Sequence, residues 1–328
     1  MNSNSLQTVL GASGSVGRAV VEELLNRGLP VRAVSRSLDK PGVATVPADL
    51  LQPYEAQRAI EGSTHVYLCV GLPYTAKVWQ RDWPVLMRNV IAACSANAAR
   101  LIFLDNVYMY GPAPLQVPFD ENHPQQPVSE KGKARKKTLN LLKNAMKEGE
   151  VEALIGRSAD FYGPYATNSM LYVSFLERML KGKAPQLLFP PDVPHTYSDT
   201  VDIGRALVAL ALAEDAYGQA WHLPVNPPIT MEEATAIFNQ HLGTALKASM
   251  MPFWVQRLLS LFIPPLREVR EMNYQFRSPY IMSDQKFRER FPDFAVTGYE
   301  EGLGRMVQHF GTPKILHRSI AEQEAGGE

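Results

Sequence analysis

The chain has 328 residues, a length typical of one large α/β domain or of a domain with a smaller companion. With 45% hydrophobic and 20% charged residues it can bury a sizeable core, which excludes wholesale disorder. Its 33 basic and 33 acidic residues give a formal net charge of +0, which disfavours a protein that grips nucleic acid mainly through the phosphates.

The cysteines and the apolar segments bear on the compartment. Cys69 and Cys94 are too few for a disulfide framework and lie in apolar surroundings, so we expect reduced, buried thiols in a cytoplasmic protein. Residues 1–5 lack the basic and apolar regions of a signal peptide. The apolar stretch 250–266 is interrupted by polar residues and prolines, so we predict no membrane span. It predicts a lid or a substrate-domain helix, with contact at a membrane surface as the alternative.

Strand-like and helix-like segments alternate through the first half of the chain. Short apolar runs predict strands, and apolar residues spaced three and four apart predict helices. The predicted strands are residues 6–10, 31–35, 44–48, 65–70, 101–104 and 151–155, and the predicted helices are 16–26, 54–60, 82–99 and 129–147. Repeated strand–helix units of this kind predict an α/β fold with a Rossmann-type, doubly wound parallel sheet.

The second half changes in composition and predicts a smaller, mostly helical C-terminal substrate domain. Prolines cluster within 185–194 and 224–228, and helices are predicted at 168–181, 202–213, 231–241 and 252–262. We place a dinucleotide-binding domain at 1–165, with 196–222 returning to it, and the substrate domain at 166–195 and 223–312. The polar stretch 313–328 predicts a flexible tail.

Three glycines stand where the first predicted strand meets the first helix, with the spacing G-x-x-G-x-x-G. Gly11 permits a tight turn, Gly14 lets the backbone approach a pyrophosphate, and Gly17 lets the helix pack close to the sheet. The helix N-terminus then offers free N–H groups and the positive end of its dipole to the phosphates. A glycine triplet alone is weak evidence, but the strand–helix junction is the context in which the dinucleotide motif occurs. The other loop residues of the predicted site are Ser13, Ser15 and Val16.

The glycine spacing resembles that of the short-chain dehydrogenase/reductase superfamily. The chain length resembles its extended branch, which includes nucleoside-diphosphate-sugar epimerases and dehydratases. Segments 107–112 (VYMYGP) and 156–164 (GRSADFYGP) fit the same resemblance, which covers about residues 6–312. It implies that Asp49 and Leu50 contact the adenine and that Val70 and Gly71 lie near the nicotinamide ribose. These matches are specific for the family and unspecific for the reaction.

The end of the second strand bears on the choice between NAD and NADP. Enzymes that use NAD usually place an acidic side chain there to hold the ribose 2′-hydroxyl. This chain has Ser35 and Arg36 instead, with Asp39 several residues later. Ser35 and Arg36 can hold a 2′-phosphate, and Arg18, directly after Gly17, could add a second cation. We therefore predict NADP, with NAD as the alternative. The competing interpretation is that Arg18 and Arg36 are ordinary surface residues that contact no cofactor.

The resemblance also implies a catalytic Tyr-x-x-x-Lys on the helix after the fifth strand, with a Ser or Thr ahead of it. In the family the tyrosine exchanges a proton with the substrate oxygen, while the lysine holds the nicotinamide ribose and lowers the pKa of the tyrosine. Aligned on Gly132, this chain has Lys131 at the tyrosine position, Arg135 at the lysine position and Asn106 at the Ser/Thr position. Arg135 could still donate hydrogen bonds to the ribose, but the usual proton donor is missing.

Three explanations of this missing signature stay open. In the first, the chemistry has moved to Lys131, whose protonated form Arg135 would disfavour from one helical turn away, or to a tyrosine. The candidate tyrosines are Tyr74, Tyr108, Tyr110 and Tyr162. In the second, the protein binds NADP(H) without catalysis, as a redox-sensing or interaction module. In the third, the alignment is offset. A solvated helix face is the non-functional interpretation of Lys131.

A few further residues carry an expectation. His195 lies in a proline-rich loop that the resemblance places beside the substrate, where it is an acid–base candidate or, more commonly, a loop histidine without such a role. The helical spacing of Trp79 and Trp83 predicts packing in the core or at a domain interface before any role at the substrate. Phe253 and Trp254 predict either an apolar lid or ordinary core. Because His, Cys, Asp and Glu do not cluster with metal-ligand spacing, we predict no metal.

Taken together, the residues predict an atypical, NADP(H)-binding, epimerase/dehydratase-like oxidoreductase. Its expected partner is a small polar or sugar-like substrate, not nucleic acid, and a homodimer is compatible with this prediction. The alternative is a non-catalytic NADP(H)-binding protein.

Overall fold

The computed structural model describes residues 5–35, 42–262 and 268–311. Arg36, Asp39 and the tail 313–328, to which the sequence assigns a role or a state, lie outside the described residues.

Strands and helices alternate through the first half, as predicted. They are β1 (Gln7–Leu10), α1 (Ser15–Asn26), β2 (Val31–Val34), β3 (Ala44–Val46), α2 (Pro53–Ile60), β4 (His65–Leu68), α3 (Ala76–Ala96), β5 (Arg100–Asp105), α4 (Glu130–Lys147) and β6 (Ala153–Arg157).

The main sheet of the described residues has seven strands in the order β10-β6-β5-β4-β1-β2-β3, where β10 is Ala220–His222. Every neighbouring pair is parallel, so the strands end at one common edge. The order turns back at β1, and ligands of open α/β sheets bind at such a switch point. The prediction of a doubly wound parallel sheet is confirmed.

Apolar residues cover both faces of this sheet. Val66, Leu101 and Phe103 belong to one buried cluster with α3 and α4, and Val9 and Ile102 belong to the cluster on the other face, with α1 and a later helix, α6 (Thr200–Ala211). Burial on both faces explains why the strands read as near-continuous apolar runs.

The second half adds short strands and more helices, as expected for a mostly helical part. The strands are β7 (Asp160–Tyr162), β8 (Gln186–Leu187), β9 (Tyr197–Asp199) and β11 (Ser249–Met250), and the helices are α5 (Glu177–Met179), α6 (Thr200–Ala211), α7 (Met231–Leu242), α8 (Phe253–Phe262), α9 (Gln285–Arg290) and α10 (Tyr299–Gly311). A π-helical segment, Leu171–Leu176, runs directly into α5.

Helix α6 packs closely against α1, which carries the glycine loop. A Cβ atom built on Gly204 would lie 2.6 Å from the Cβ of Ala19. The two helix backbones therefore come together at a position where only glycine fits. Asp199 caps α6 by accepting a hydrogen bond from the Val201 N–H at 2.7 Å.

Two local predictions are wrong. Helix α3 begins at Ala76, six residues before the predicted start at 82, because Thr75 caps it by accepting from the Val78 N–H. Pro84 lies inside the helix and does not mark its start. The sequence also did not predict β10, a three-residue edge strand. No helix within the described ranges has the length and the apolar character that crossing a membrane requires.

Candidate dinucleotide and catalytic site

The glycine loop joins β1 to α1 and lies against the end of β4. Gly11 has φ +80°, and a Cβ there would come within 2.9 Å of the Cys69 carbonyl oxygen. A Cβ on Gly17 would lie 2.2 Å from the Gly11 carbonyl oxygen. Neither site has room for a side chain, so the spacing of these two glycines is set by backbone packing.

Gly14 serves a different purpose. It is the N-cap of α1 with φ −69°, a conformation open to any residue, and it is exposed. No side chain caps α1, and its first turn holds no acidic residue. The N–H groups of this uncapped N-terminus and the positive end of the helix dipole can therefore receive the phosphates of a ligand. Ser13 and Ser15 flank this space half-buried, and Val16 anchors the helix in the core.

Arg18 braces the loop. Its Nε donates to the Ser13 carbonyl oxygen at 3.0 Å, and its guanidinium lies 4.4 Å from the centroid of the Tyr165 ring. These contacts lie at the loop itself. The predicted contact of Arg18 with a 2′-phosphate stays a prediction.

The predicted ribose and adenine contacts follow the ends of β2, β3 and β4. Ser35 is buried directly after β2, and its N–H donates to the Val46 carbonyl at 3.2 Å. Asp49 is exposed and accepts from the Leu51 N–H at 3.0 Å, while Leu50 is buried beneath it.

The two residues predicted to lie near the nicotinamide ribose follow β4. Val70 packs against the core, and Gly71 is exposed, with open space where a Cβ would be. The common edge of the sheet thus brings together the residues predicted to line a dinucleotide.

Tyr108 follows β5 and forms a pair with Tyr74. The Tyr74 hydroxyl donates to the Tyr108 hydroxyl at 3.3 Å, and the Tyr108 ring stacks on Trp79 at 5.9 Å and 15°. Asn106 fixes the turn by accepting from the Tyr108 N–H at 3.1 Å. Burial raises the pKa of Tyr74 and of Tyr108 well above the usual range, and the charge of nearby Asp160 raises both further.

Lys131 is not on a solvated helix face. Its side chain is 0% exposed, and its Nζ forms ion pairs with the carboxylates of Glu268 and, at 2.7 Å, Glu271. The ammonium also donates to the Glu268 carbonyl at 3.0 Å and lies 4.8 Å from the centroid of the Tyr74 ring. These contacts engage the ammonium within the protein, and the predicted influence of Arg135 on Lys131 stays a prediction.

Arg135 lies in a buried charge network beneath the site. Its Nε donates to Asp105 at 2.6 Å, and its Nη2 donates to the Leu104 carbonyl at 2.8 Å. The guanidinium is 4.3 Å from the Trp83 ring centroid. Arg157 approaches the second carboxylate oxygen of Asp105 at 3.6 Å. These contacts are internal to the protein, and the hydrogen bond from Arg135 to a nicotinamide ribose stays a prediction.

Tyr110 and Tyr162 contact other parts of the protein. The fully buried Tyr110 hydroxyl lies 2.6 Å from His222 Nε2 and accepts from Arg157 at 2.5 Å. The Tyr162 hydroxyl, also buried, accepts from Asn226 at 3.4 Å, in the cluster of the C-terminal helices. Neither hydroxyl joins the Tyr74–Tyr108 pair.

His195 is buried, and its Nε2 lies 3.0 Å from a carboxylate oxygen of Asp160. The imidazole stacks on Phe276 at 4.5 Å and on Tyr280 at 5.1 Å. Asp160 is not among the predicted site residues, although its place just after β6, at the common edge of the sheet, could have indicated it. The Asp160 carboxylate contacts His195, and its charge raises the pKa of both Tyr74 and Tyr108.

Trp79 and Trp83 are buried, so the prediction that they pack in the core is confirmed. Phe253 and Trp254 are exposed, so the alternative that they are ordinary core residues is wrong. Within residues 5–35, 42–262 and 268–311, no group of three or more His, Cys, Asp or Glu side chains is placed to hold a metal ion. Both cysteines are free and buried.

The parallel sheet, its switch point and the open, uncapped N-terminus of α1 define a protein of the Rossmann dinucleotide-binding class. The model of the NAD dependent epimerase/dehydratase family matches residues 7–221, and the chain belongs to this family.

Two curated relatives span much of the chain. The chain is 23% identical over 329 aligned residues to the Mus musculus sterol-4-alpha-carboxylate 3-dehydrogenase, decarboxylating, which covers 92% of this chain and 90% of that protein. It is 28% identical over 228 residues to the Kitasatospora kifunensis dTDP-6-deoxy-L-talose 4-dehydrogenase (NAD(P)(+)), which covers 62% of this chain and 68% of that protein.

Solved structures show the same fold. The Thermus thermophilus UDP-glucose 4-epimerase in complex with NAD has a TM-score of 0.75 at 19% identity and covers 94% of this chain and 99% of its own. An epimerase from Methanothermobacter thermautotrophicus has a TM-score of 0.80 at 15% identity and covers 96% of this chain and 95% of its own.

Proposed function

We propose that the protein binds NADP(H) along the common edge of the sheet and transfers hydride at a small polar or sugar-like substrate. The open N-terminus of α1 supports the pyrophosphate part of this proposal, and Ser35 and Arg36 support the choice of NADP. A bound nicotinamide supplies or accepts the hydride. The chain's own residues then have to hold the substrate oxygen and move a proton at it.

The observation that carries the proposal is the Tyr74–Tyr108 hydroxyl pair at the end of β5. Lys131, at the position of the family's tyrosine, is held by two carboxylates and buried, so it is engaged within the protein. We assign proton transfer to Tyr108, with Tyr74 as its hydrogen-bond partner and Asn106 holding the turn between them and the strand.

The raised pKa of Tyr108 keeps its phenol protonated at neutral pH. In carbonyl reduction Tyr108 would donate this proton to the oxygen that gains negative charge, and in alcohol oxidation the phenolate would take the proton back.

The test measures NADPH consumption with a panel of ketones, aldehydes and nucleotide-sugar ketones. We expect Tyr108→Phe to lower kcat by about 10²–10⁴-fold, the usual contribution of a positioned acid. Tyr54→Phe is the matched control, because Tyr54 is an exposed tyrosine on α2, which carries neither member of the pair. Turnover that is brisk in the native protein and unchanged in Tyr108→Phe would refute the role of Tyr108.

A second candidate function is NADP(H) binding without catalysis. The locked Lys131 and the internal pairing of Arg135 favour it, because the two positions of the family signature are both used for contacts within the protein. Calorimetry separates the two functions. NADPH binding without turnover of any member of the panel would support the non-catalytic function, whereas turnover excludes it.

A further inference from the structure

Helix α8 buries its two uncharged polar residues, Gln256 and Ser260, and exposes large apolar residues. Gln256 is buried, and its amide donates to two backbone carbonyls at 3.1 and 2.8 Å. Ser260 is also buried and accepts from Arg270 at 2.5 Å. A helix that packs on a core by its apolar stripe shows the opposite pattern.

The large apolar side chains lie on the outer face of α8, by which we mean Phe253, Trp254, Leu258, Leu261 and Phe262. Trp254 is 70% exposed, Leu261 75% and Phe262 76%. At 3.6 residues per turn, Trp254, Leu258 and Leu261 fall in one narrow sector opposite the buried polar residues. A contiguous apolar patch of this kind marks a surface that contacts a partner or a membrane.

The border of this face is basic. Arg257 is exposed on α8 itself, and the guanidinium groups of Arg270 and Arg277 each lie 5.8 Å from the ring centroid of Phe253. Glu268 and Glu271, which follow α8 in the chain, form ion pairs with the buried Lys131 and so point to the interior. Positive charge therefore stands beside the apolar side chains on the outer surface.

We propose that the outer face of α8 docks on an anionic membrane surface. Apolar side chains with an interfacial tryptophan enter the boundary between headgroups and acyl chains, and flanking arginines meet the lipid phosphates. A second copy of the chain fits less well, because a two-fold contact through this face would bring the arginines of both copies together. This inference is independent of the reaction that the site catalyses.

Trp254 makes the proposal directly measurable. The chain has 4 tryptophans, and the other three, Trp79, Trp83 and Trp221, are buried. A change in tryptophan emission on mixing with vesicles therefore reports on Trp254. We expect a blue shift, and co-sedimentation of the full chain, with phosphatidylcholine vesicles that contain phosphatidylglycerol, and neither with phosphatidylcholine alone.

Two variants test the apolar and the basic parts separately. Leu261→Asp should lower the vesicle partition coefficient at least about tenfold, whereas Tyr54→Asp, which places the same charge at an exposed aromatic on α2, should not change it. Arg257→Glu should lower partition about tenfold and weaken its dependence on salt.

Two results would overturn the proposal. The first is the absence of both a blue shift and co-sedimentation with the anionic vesicles. The second is a dimer in sedimentation velocity without lipid that Leu261→Asp converts to a monomer, because it would assign the face to a second copy of the chain.

Discussion

The two ends of the sheet edge differ in how their polar groups are used. Around the glycine loop, the N–H groups at the start of α1 lack a side-chain cap and face open space. Beyond β5, Arg135, Asp105 and Lys131 are buried in ion pairs with one another or with later segments. We call the first the open end and the second, whose charges are paired within the protein, the filled end. Lys131 and Arg135, predicted at the positions of the family's tyrosine and lysine, both form ion pairs at the filled end.

The largest expected effect tests the filled end. Arg135→Met leaves the buried carboxylate of Asp105 short of its main partner, so we expect the free energy of unfolding to fall by about 3–5 kcal/mol. Chemical denaturation measures it. Lys137→Met, at an exposed position of the same helix, is the control and should change stability by less than about 0.5 kcal/mol.

The opposite result would break the comparison. If Arg135→Met weakened NADPH binding while the protein kept its stability, the guanidinium would act on the nicotinamide ribose, as the family resemblance implies.

The open end should respond in binding more than in stability. Gly14→Val places a branched side chain where the pyrophosphate is expected, so NADPH affinity should fall by about 100-fold, the equivalent of one to two charged hydrogen bonds. Its φ of −69° suits valine, but its Cβ would make a tight contact of 3.3 Å with the Gly11 carbonyl oxygen, so we expect a small loss of unfolding free energy.

Gly17→Val is the contrasting variant for the same loop. Its Cβ would lie 2.2 Å from the Gly11 carbonyl oxygen, so we expect loss of stability together with loss of binding. NADPH binding that survives Gly14→Val in calorimetry would show that the phosphate-loop assignment is wrong.

The smallest effect concerns the choice of cofactor at the open end. Arg36→Ala should weaken NADPH binding by about 1.5–3 kcal/mol, the range for a charged hydrogen bond, and leave NADH binding nearly unchanged. Titration of both cofactors by fluorescence checks this. Equal affinities of the native protein for NADH and NADPH would contradict the prediction of NADP.

The open end was readable from the sequence because its determinants are local. The preceding strand, the three glycines and the following helix all lie between Gln7 and Asn26, and the glycine spacing is set by backbone geometry that only glycine satisfies at Gly11 and Gly17. The alternation of strands and helices could be predicted for the same reason, because the apolar pattern of each segment indicates which of its residues are buried.

The filled end was not readable because its partners are remote in the chain. Nothing near Lys131 announces that Glu268 and Glu271, 137 and 140 residues later, will bury it. The predicted start of α3 was wrong for a local reason, because Asp82 followed closely by Pro84 resembles a helix N-terminus. The exposed face of α8 has the same composition as a core helix, and only its placement distinguishes the two.

The close contact of Gly204 with Ala19 has a consequence for the order of events during synthesis. The glycine loop leaves the ribosome early, but α6, the helix that supports α1 from behind, is made only after most of the sheet. Contacts between distant segments form late and slowly, so an incomplete chain holds the loop without its support. The first part of the proposed binding site to be translated is then among the last to become rigid, and truncation before α6 should leave a nascent chain that does not retain the dinucleotide.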